Sequence, residues 1–390
     1  MELRAFRRGV IAALAVTLFT AGNAYADRNR ISDGNDIRGP LDIRSATHGH
    51  AGGRVVHTIS TFARWRPGLL GPSTPNLFAL EISTDGDRAF ERVVLVYSRN
   101  GRMIARVFRL SRGRLFLIGP AAASKPNGRT VRVTIARSRL GNPAGYRSTA
   151  HSQYQAAGVC SGSCVDHAPN SGGVLHDITA PAVALTSFPA IPPDVEYDVS
   201  FRISDRGGAG LRRWLLQHRP FGTAAWTTVD SGATAGSKSH HHVSAEDADD
   251  EFRVVARDRH GNERISPLRL VSVPIDDASA SLVYTGTWAH GPGDPLDFRD
   301  TLSTSATVSD TVALTFTGRY VALVSPGREV EGDGDALVSI DGAPAASVLF
   351  STFDGRRRIV FERTFSSVAT RTISIAVVDG TVPVDGIVVR

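Results

Sequence analysis

The chain has 390 residues, more than one hydrophobic core usually accommodates, so two or three domains are expected. Its 42% hydrophobic and 21% charged residues are those of a globular protein, and 38 glycines with 20 prolines argue for many turns and against a helical fold. The net charge of +6 is unevenly spread: residues 27–178 carry 21 Lys+Arg against 10 Asp+Glu, whereas 179–278 (11 against 14) and 279–390 (9 against 13) are mildly acidic.

Residues 1–26 read as an export signal. "MELRAFRRG" is a basic start, "VIAALAVTLFTAG" is an apolar run well short of the roughly 20 residues that a span needs, and Ala24-Tyr25-Ala26 fits a cleavage site between Ala26 and Asp27. The mature chain is therefore expected to be secreted, with no membrane span.

Residues 27–175 read as strands. In "TVRVTIARS", Val131, Val133 and Ile135 alternate with Arg132 and Thr134, and "LFALEIST" alternates Phe78, Leu80 and Ile82. "ERVVLVYSRNGRMIARVFRL" is two apolar runs around Asn100-Gly101, a strong hairpin signal. Asp85-Gly86-Asp87 reads as another turn. Cys160 and Cys164 lie close together in an exported chain, which favours a local disulfide over a metal site shared with His151, Asp166 or His167. His48, His50 and His57 in "THGHAGGRVVHT" could grip a metal, as could His240, His241 and His242. Both groups read more simply as loop or exposed strand positions. Met103, the only methionine after the signal, is a remote candidate for a haem ligand.

"HDITAPAVALTSFPAIPPD" breaks the strand pattern with Pro181, Pro189, Pro192 and Pro193 and marks a boundary. The segment 179–274 follows, with Val195, Tyr197, Val199, Phe201 and Ile203 alternating and Trp214 expected in the core. Its "DITAPAV", "VSFRISDRGGAGLRRWLLQHR" and "FRVVARDRHGN" resemble the bacterial extracellular immunoglobulin-like and fibronectin-type repeats. In "VVARDRHGNERIS", Asp258, His260 and Asn262 raise the question of a catalytic group. They read instead as a sheet corner, with Asp258 bonded to backbone, Gly261 and Asn262 in permissive φ, and His260 toward water.

The segment 279–390 alternates at Val312, Leu314 and Phe316 and at Ile373, Ile375 and Val377. Its "YTGTW", "ATVSDTVALTFTGRYVALVS", "ALVSIDG" and closing "VDGTVPVDGIVVR" resemble galactose-binding-like jelly-roll modules. "NDIRGPLDIRSATHGH" with "VVHTISTFARW" in the first domain is faintly similar to family-nine-type carbohydrate-binding sandwiches.

No nucleophile, zinc-protease, phosphate-loop or EF-hand motif occurs in the chain. The expectation is an all-β, non-catalytic protein of three β-sandwich modules in tandem, attaching to polysaccharide or cell-wall polymer. Sugar binding calls for flat aromatic rings; the candidates are Tyr284, Trp288, Tyr320 and Phe353 in the last module, with Trp65 and Tyr97 in the first. No cofactor is expected, although Glu331, Asp333 and Asp335 in "EGDGD" could order a loop around calcium. The basic first domain suits adsorption to an anionic polymer better than specific nucleic-acid reading, because its arginines alternate along several strands. Two alternatives stand beside this reading. One is a structural or adhesion protein that binds other surface proteins. The other is an enzyme with a cleft in the first domain lined by His48, His50, His57 and Asp36 or Asp42.

Overall fold

The computed structural model describes residues 30–71, 75–85, 87, 89–326, 334–343 and 346–390. The expected signal segment and the expected cleavage point between Ala26 and Asp27 lie outside them. The described residues form β-strands with a few short 3-10 turns and no α-helix, and they fall into two compact units, up to Ile178 and from Thr179 onward. No helix among them is long and apolar enough to cross a membrane.

The first unit holds β1 (Arg30–Ser32), β2 (Ile43–Ala51), β3 (Arg54–Thr61), β4 (Leu77–Ser83), β5 (Arg92–Arg99), β6 (Arg102–Ser111), β7 (Arg114–Asn127), β8 (Thr130–Ala136), β9 (Gly145–Ala156), β10 (Cys160–Ala168) and β11 (Val174–Asp177). This domain was expected to be a β-sandwich. It is instead one continuous antiparallel sheet in the order β1-β2-β3-β8-β7-β6-β5-β4-β9-β10, with β11 also paired to β9. The long β7 makes the difference: its first half pairs with β6 and its second half with β8, so the two faces never separate into two sheets. The ends curl back toward each other. Ile43 N donates to Asp166 Oδ2 at 2.6 Å, and Ser152 Oγ donates to Leu41 O at 2.7 Å, joining β2 to β10 and β9 in a near-barrel.

Alternation places the core inside this curl. Val131, Val133 and Ile135 of β8 are fully buried with Phe78, Leu80, Val94, Val107 and Tyr146, while Arg132 faces water. The β5–β6 hairpin turns on Asn100 (φ 53°) and Gly101 (φ 70°), the paired positive φ values that match strand twist. Cys160 and Cys164 are disulfide-bonded at the start of β10.

The second unit begins with β12 (Ala182–Ser187), β13 (Glu196–Ser204), β14 (Leu211–Pro220), β15 (Thr227–Gly232), β16 (Gly236–Val243), β17 (Asp249–Asp258), β18 (Glu263–Ile265) and β19 (Arg269–Ser272). These strands form sheets β12-β13-β16 and β15-β14-β17-β18, with β19 beside β17. Between them lie Tyr197, Val199, Phe201, Trp214, Leu216, Phe252 and Val254.

It continues with β20 (Ile275–Asp276), β21 (Leu282–Thr285), β22 (Ala289–Pro292), β23 (Thr301–Ser305), β24 (Thr311–Ser325), β25 (Asp335–Ile340), β26 (Ala346–Leu349), β27 (Arg358–Asp379), β28 (Val382–Val384) and β29 (Gly386–Val389). A seven-stranded sheet centred on the β24–β27 pair and a three-stranded sheet, β22-β23-β28, share a core of Val312, Leu314, Val338, Ile373, Ile375 and Val384. The two halves of this unit interlock. Phe298, fully buried, joins the core of the preceding sheets, and Ile191 packs with Ala322, Val324 and Val388.

Candidate functional site

The aromatic candidates of the last segment divide. Tyr284 on β21 and Trp288 just before β22 meet edge to face with ring centroids 5.2 Å apart, and His290 on β22 adds its ring 4.6 Å from Tyr284. Tyr284 donates its hydroxyl to Asp277 O (2.8 Å), and His290 Nδ1 is hydrogen-bonded to Ser303 Oγ (2.7 Å). Both aromatic rings are half-buried against the core, while His290 is exposed. The Trp288 indole N–H has no acceptor among the described residues.

Tyr320 lies elsewhere, on β24. Its hydroxyl donates to Glu362 Oε2 (2.7 Å), and the Arg390 guanidinium covers its ring at 3.9 Å. Burial, with the Glu362 carboxylate beside it, pushes the phenol up to about 12. Phe353 packs on the module's core. Of the acidic trio, Glu331 and Asp333 fall outside the described residues. Asp335 opens β25 and accepts a hydrogen bond from Ser347 Oγ (2.8 Å).

In the first unit Trp65 is a core residue packed on Phe78, not a surface platform. The Asp258 corner is structural, with Asp258 bonded to backbone and Gly261 in positive φ as expected; only Asn262 departs from the expectation. Asp258 takes Asn262 N at 2.9 Å and Asn262 Nδ2 at 2.7 Å. Gly261 alone supplies the positive φ (92°), so Asn262 acts through its backbone N–H and its side-chain amide and not through a permissive φ.

The histidines depart most from expectation. His48 and His57 are buried, not loop or exposed strand residues, and they stand opposite each other across the β2–β3 ladder. Their rings point inward toward Tyr146 on β9 and His176 on β11, themselves a facing pair. Tyr146 Oη lies 2.6 Å from His48 Nδ1 and 2.8 Å from His57 Nε2, and His176 Nε2 is 2.8 Å from Ser148 Oγ. Complete burial brings the His57 imidazole down to about 4. His50 remains at the edge, its ring 6.2 Å from that of His48.

Asp36 and Asp42 stand apart from the histidines. Asp36 groups with Asp33 and Asp166, and burial with the charges of Asp36 and Asp33 raises the Asp42 carboxyl to about 6. On the outer face, His151 and His167 adjoin Glu81, and burial and the nearby His167 lower His151 to about 4.

The run His240–His242 splits by alternation on β16. His241 faces out toward Glu196 and Asp198, while His242 turns in toward His218 and Asp250. Asp250 accepts His218 Nε2 (2.5 Å), Tyr197 Oη (2.9 Å) and Ser244 Oγ (2.5 Å). Burial alone would raise this carboxyl, but the donors outweigh it and hold it far below the usual range. A pocket of about 550 Å³ opens over the group, lined by His218, Phe221, His242, Ser244, Asp249 and Arg390. Sequence reasoning missed Tyr146, His176, His218 and Asp250, which join these clusters only through non-local strand pairing.

No protein-family pattern matches the chain, and no curated protein matches it. Among solved structures it is similar to a marsupial T cell receptor (9% identity, covering 87% of this chain and 94% of that one, TM-score 0.35). It is also similar to carbohydrate-binding modules of the β-sandwich superfamily (12%, 54% and 98%, TM-score 0.29). A third similarity is to a two-domain esterase active on acetylated mannans (13%, 30% and 35%, TM-score 0.23), of whose length the chain spans about a third.

Proposed function

We propose that this chain is a secreted, non-catalytic binding protein that attaches to a glycan through its last module, which we read as a jelly-roll. The patch of Tyr284, Trp288 and His290 carries the reading. Two half-buried rings beside the exposed His290 offer apolar edge area for a pyranose face, and the imidazole edge offers a hydrogen bond to a hydroxyl. The arginine-rich outer face of the first unit adds attraction to an anionic polymer. A pull-down on insoluble polysaccharides and purified cell walls tests it. Retention that is lost in Trp288→Ala is the expected result. Retention unchanged in that variant, or abolished by salt alone, would shift binding to the arginines and overturn the jelly-roll role.

A second reading, adhesion to other proteins, is favoured by one observation. The β6–β7 hairpin displays Leu110, Leu115, Phe116 and Leu117 at 36–55% exposure. Self-association or partner capture that weakens in Phe116→Ser, with no glycan retention, would support it.

A further inference from the structure

Two facing pairs of side chains meet inside the first unit: His48 with His57 across β2–β3, and Tyr146 with His176 across β9–β11. None of the four is more than 4% exposed. The three imidazole centroids are 5.0 Å (His48–His57), 5.6 Å (His57–His176) and 4.0 Å (His48–His176) apart. One ring nitrogen from each histidine lies within 4.8 Å of those from the other two. The Tyr146 hydroxyl sits 2.6 and 2.8 Å from two of these rings.

We infer that His48, His57 and His176 form a binding site for a divalent transition-metal ion, with the Tyr146 oxygen as fourth donor. The donor set is of the right kind. Imidazole nitrogen and a hard oxygen suit zinc and its first-row neighbours, and four donors at about 2.1 Å around a tetrahedral ion place the rings about 5 Å apart. Side-chain shifts bring the present spacing onto an ion, the Tyr146 oxygen moving from hydrogen-bond distance to about 3.4 Å from the ligating nitrogens. Ser148 Oγ, on His176 Nε2, anchors that ring from outside the donor set.

Burial decides the role. With four donors sealed in the interior, no open position is left for a substrate, so the ion is structural. It ties the β2–β3 wall of the near-barrel to the β9–β11 wall.

The experiment uses the untagged full chain, unfolded in denaturant with chelator and refolded with or without Zn2+, then dialysed. About one zinc per chain should remain, and the zinc-refolded protein should melt on the order of 5–10 °C higher. Replacing Zn2+ by Co2+ should give the visible absorption of tetrahedral cobalt. His176→Asn should lose both zinc and colour. His151→Ala and His242→Ala, which disturb the other histidine clusters, should keep them. If His176→Asn fails to fold, the wild-type readings still decide. Wild type that retains no zinc and gains no thermal stability overturns the inference, as does zinc that survives in His176→Asn but is lost in His151→Ala or His242→Ala.

Discussion

His218 Nε2 stands 2.5 Å from Asp250 Oδ1, on a carboxyl that also accepts the hydroxyls of Tyr197 and Ser244. Three strands and one loop are therefore pinned to a single buried anion. Asp250→Ala leaves those donors facing one another across a cavity, and a loss of about 3 kcal/mol or more is expected by denaturant unfolding. Because the carboxyl is held below its ordinary value, its contribution is complete above about pH 4 and fades as pH falls further. Asp250→Asn should flatten that acid limb.

Asp385 predicts the opposite slope. It is buried, and desolvation raises it to about 7, with the charges of Asp297 and Asp277 adding to the shift. The folded state thus binds a proton that the unfolded state has already released between about pH 4 and 7, so this residue makes the fold less stable as pH rises through that window. The cost is on the order of 2–4 kcal/mol. Asp385→Asn keeps an acceptor for Phe298 N, which donates to Oδ1 at 2.8 Å, and should remove the slope in unfolding measured from pH 5 to 8.

Gly286 holds the entry to the aromatic patch. Its φ is +100°, and a Cβ there would overlap the Asp310 carboxylate. That carboxylate takes Thr287 N and Ser305 Oγ, each at 2.7 Å. Gly286→Ala should cost about 2 kcal/mol or more and tilt Trp288 out of contact with Tyr284. Glycan retention that stays intact in this variant would separate the patch from binding.

The Cys160–Cys164 bridge closes a short loop, so chain entropy gives it only about 2 kcal/mol. Reduction should lower the melting temperature of the first unit by a few degrees without unfolding it, as followed by circular dichroism with and without reductant.

Local chemistry made much of this fold legible. Val131, Val133 and Ile135 announced their strand by alternation, Asn100-Gly101 announced its hairpin, and Asp258 its corner. What lay beyond reach was closure. Nothing in "RLFLIGPAAASKPN", with prolines at 120 and 126, reads as one strand serving two neighbours, yet β7 does so and turns an expected sandwich into a near-barrel. The histidine cluster was hidden for the same reason. Tyr146 lies 98 residues from His48, and His176 sits in a stretch that reads as a boundary, so only long-range pairing brings them together. His242 was hidden in a run of three like residues, where a period of two decides which one turns inward.

Phe298 belongs by sequence to the last module and by packing to the one before it. Cut the chain near residue 279 and each piece inherits a defect: the upstream half is left with an empty socket, the downstream half with a bare phenylalanine. The pair should therefore be cloned, expressed and mechanically stretched as one object, yielding in a single rupture where two beads on a string would give two.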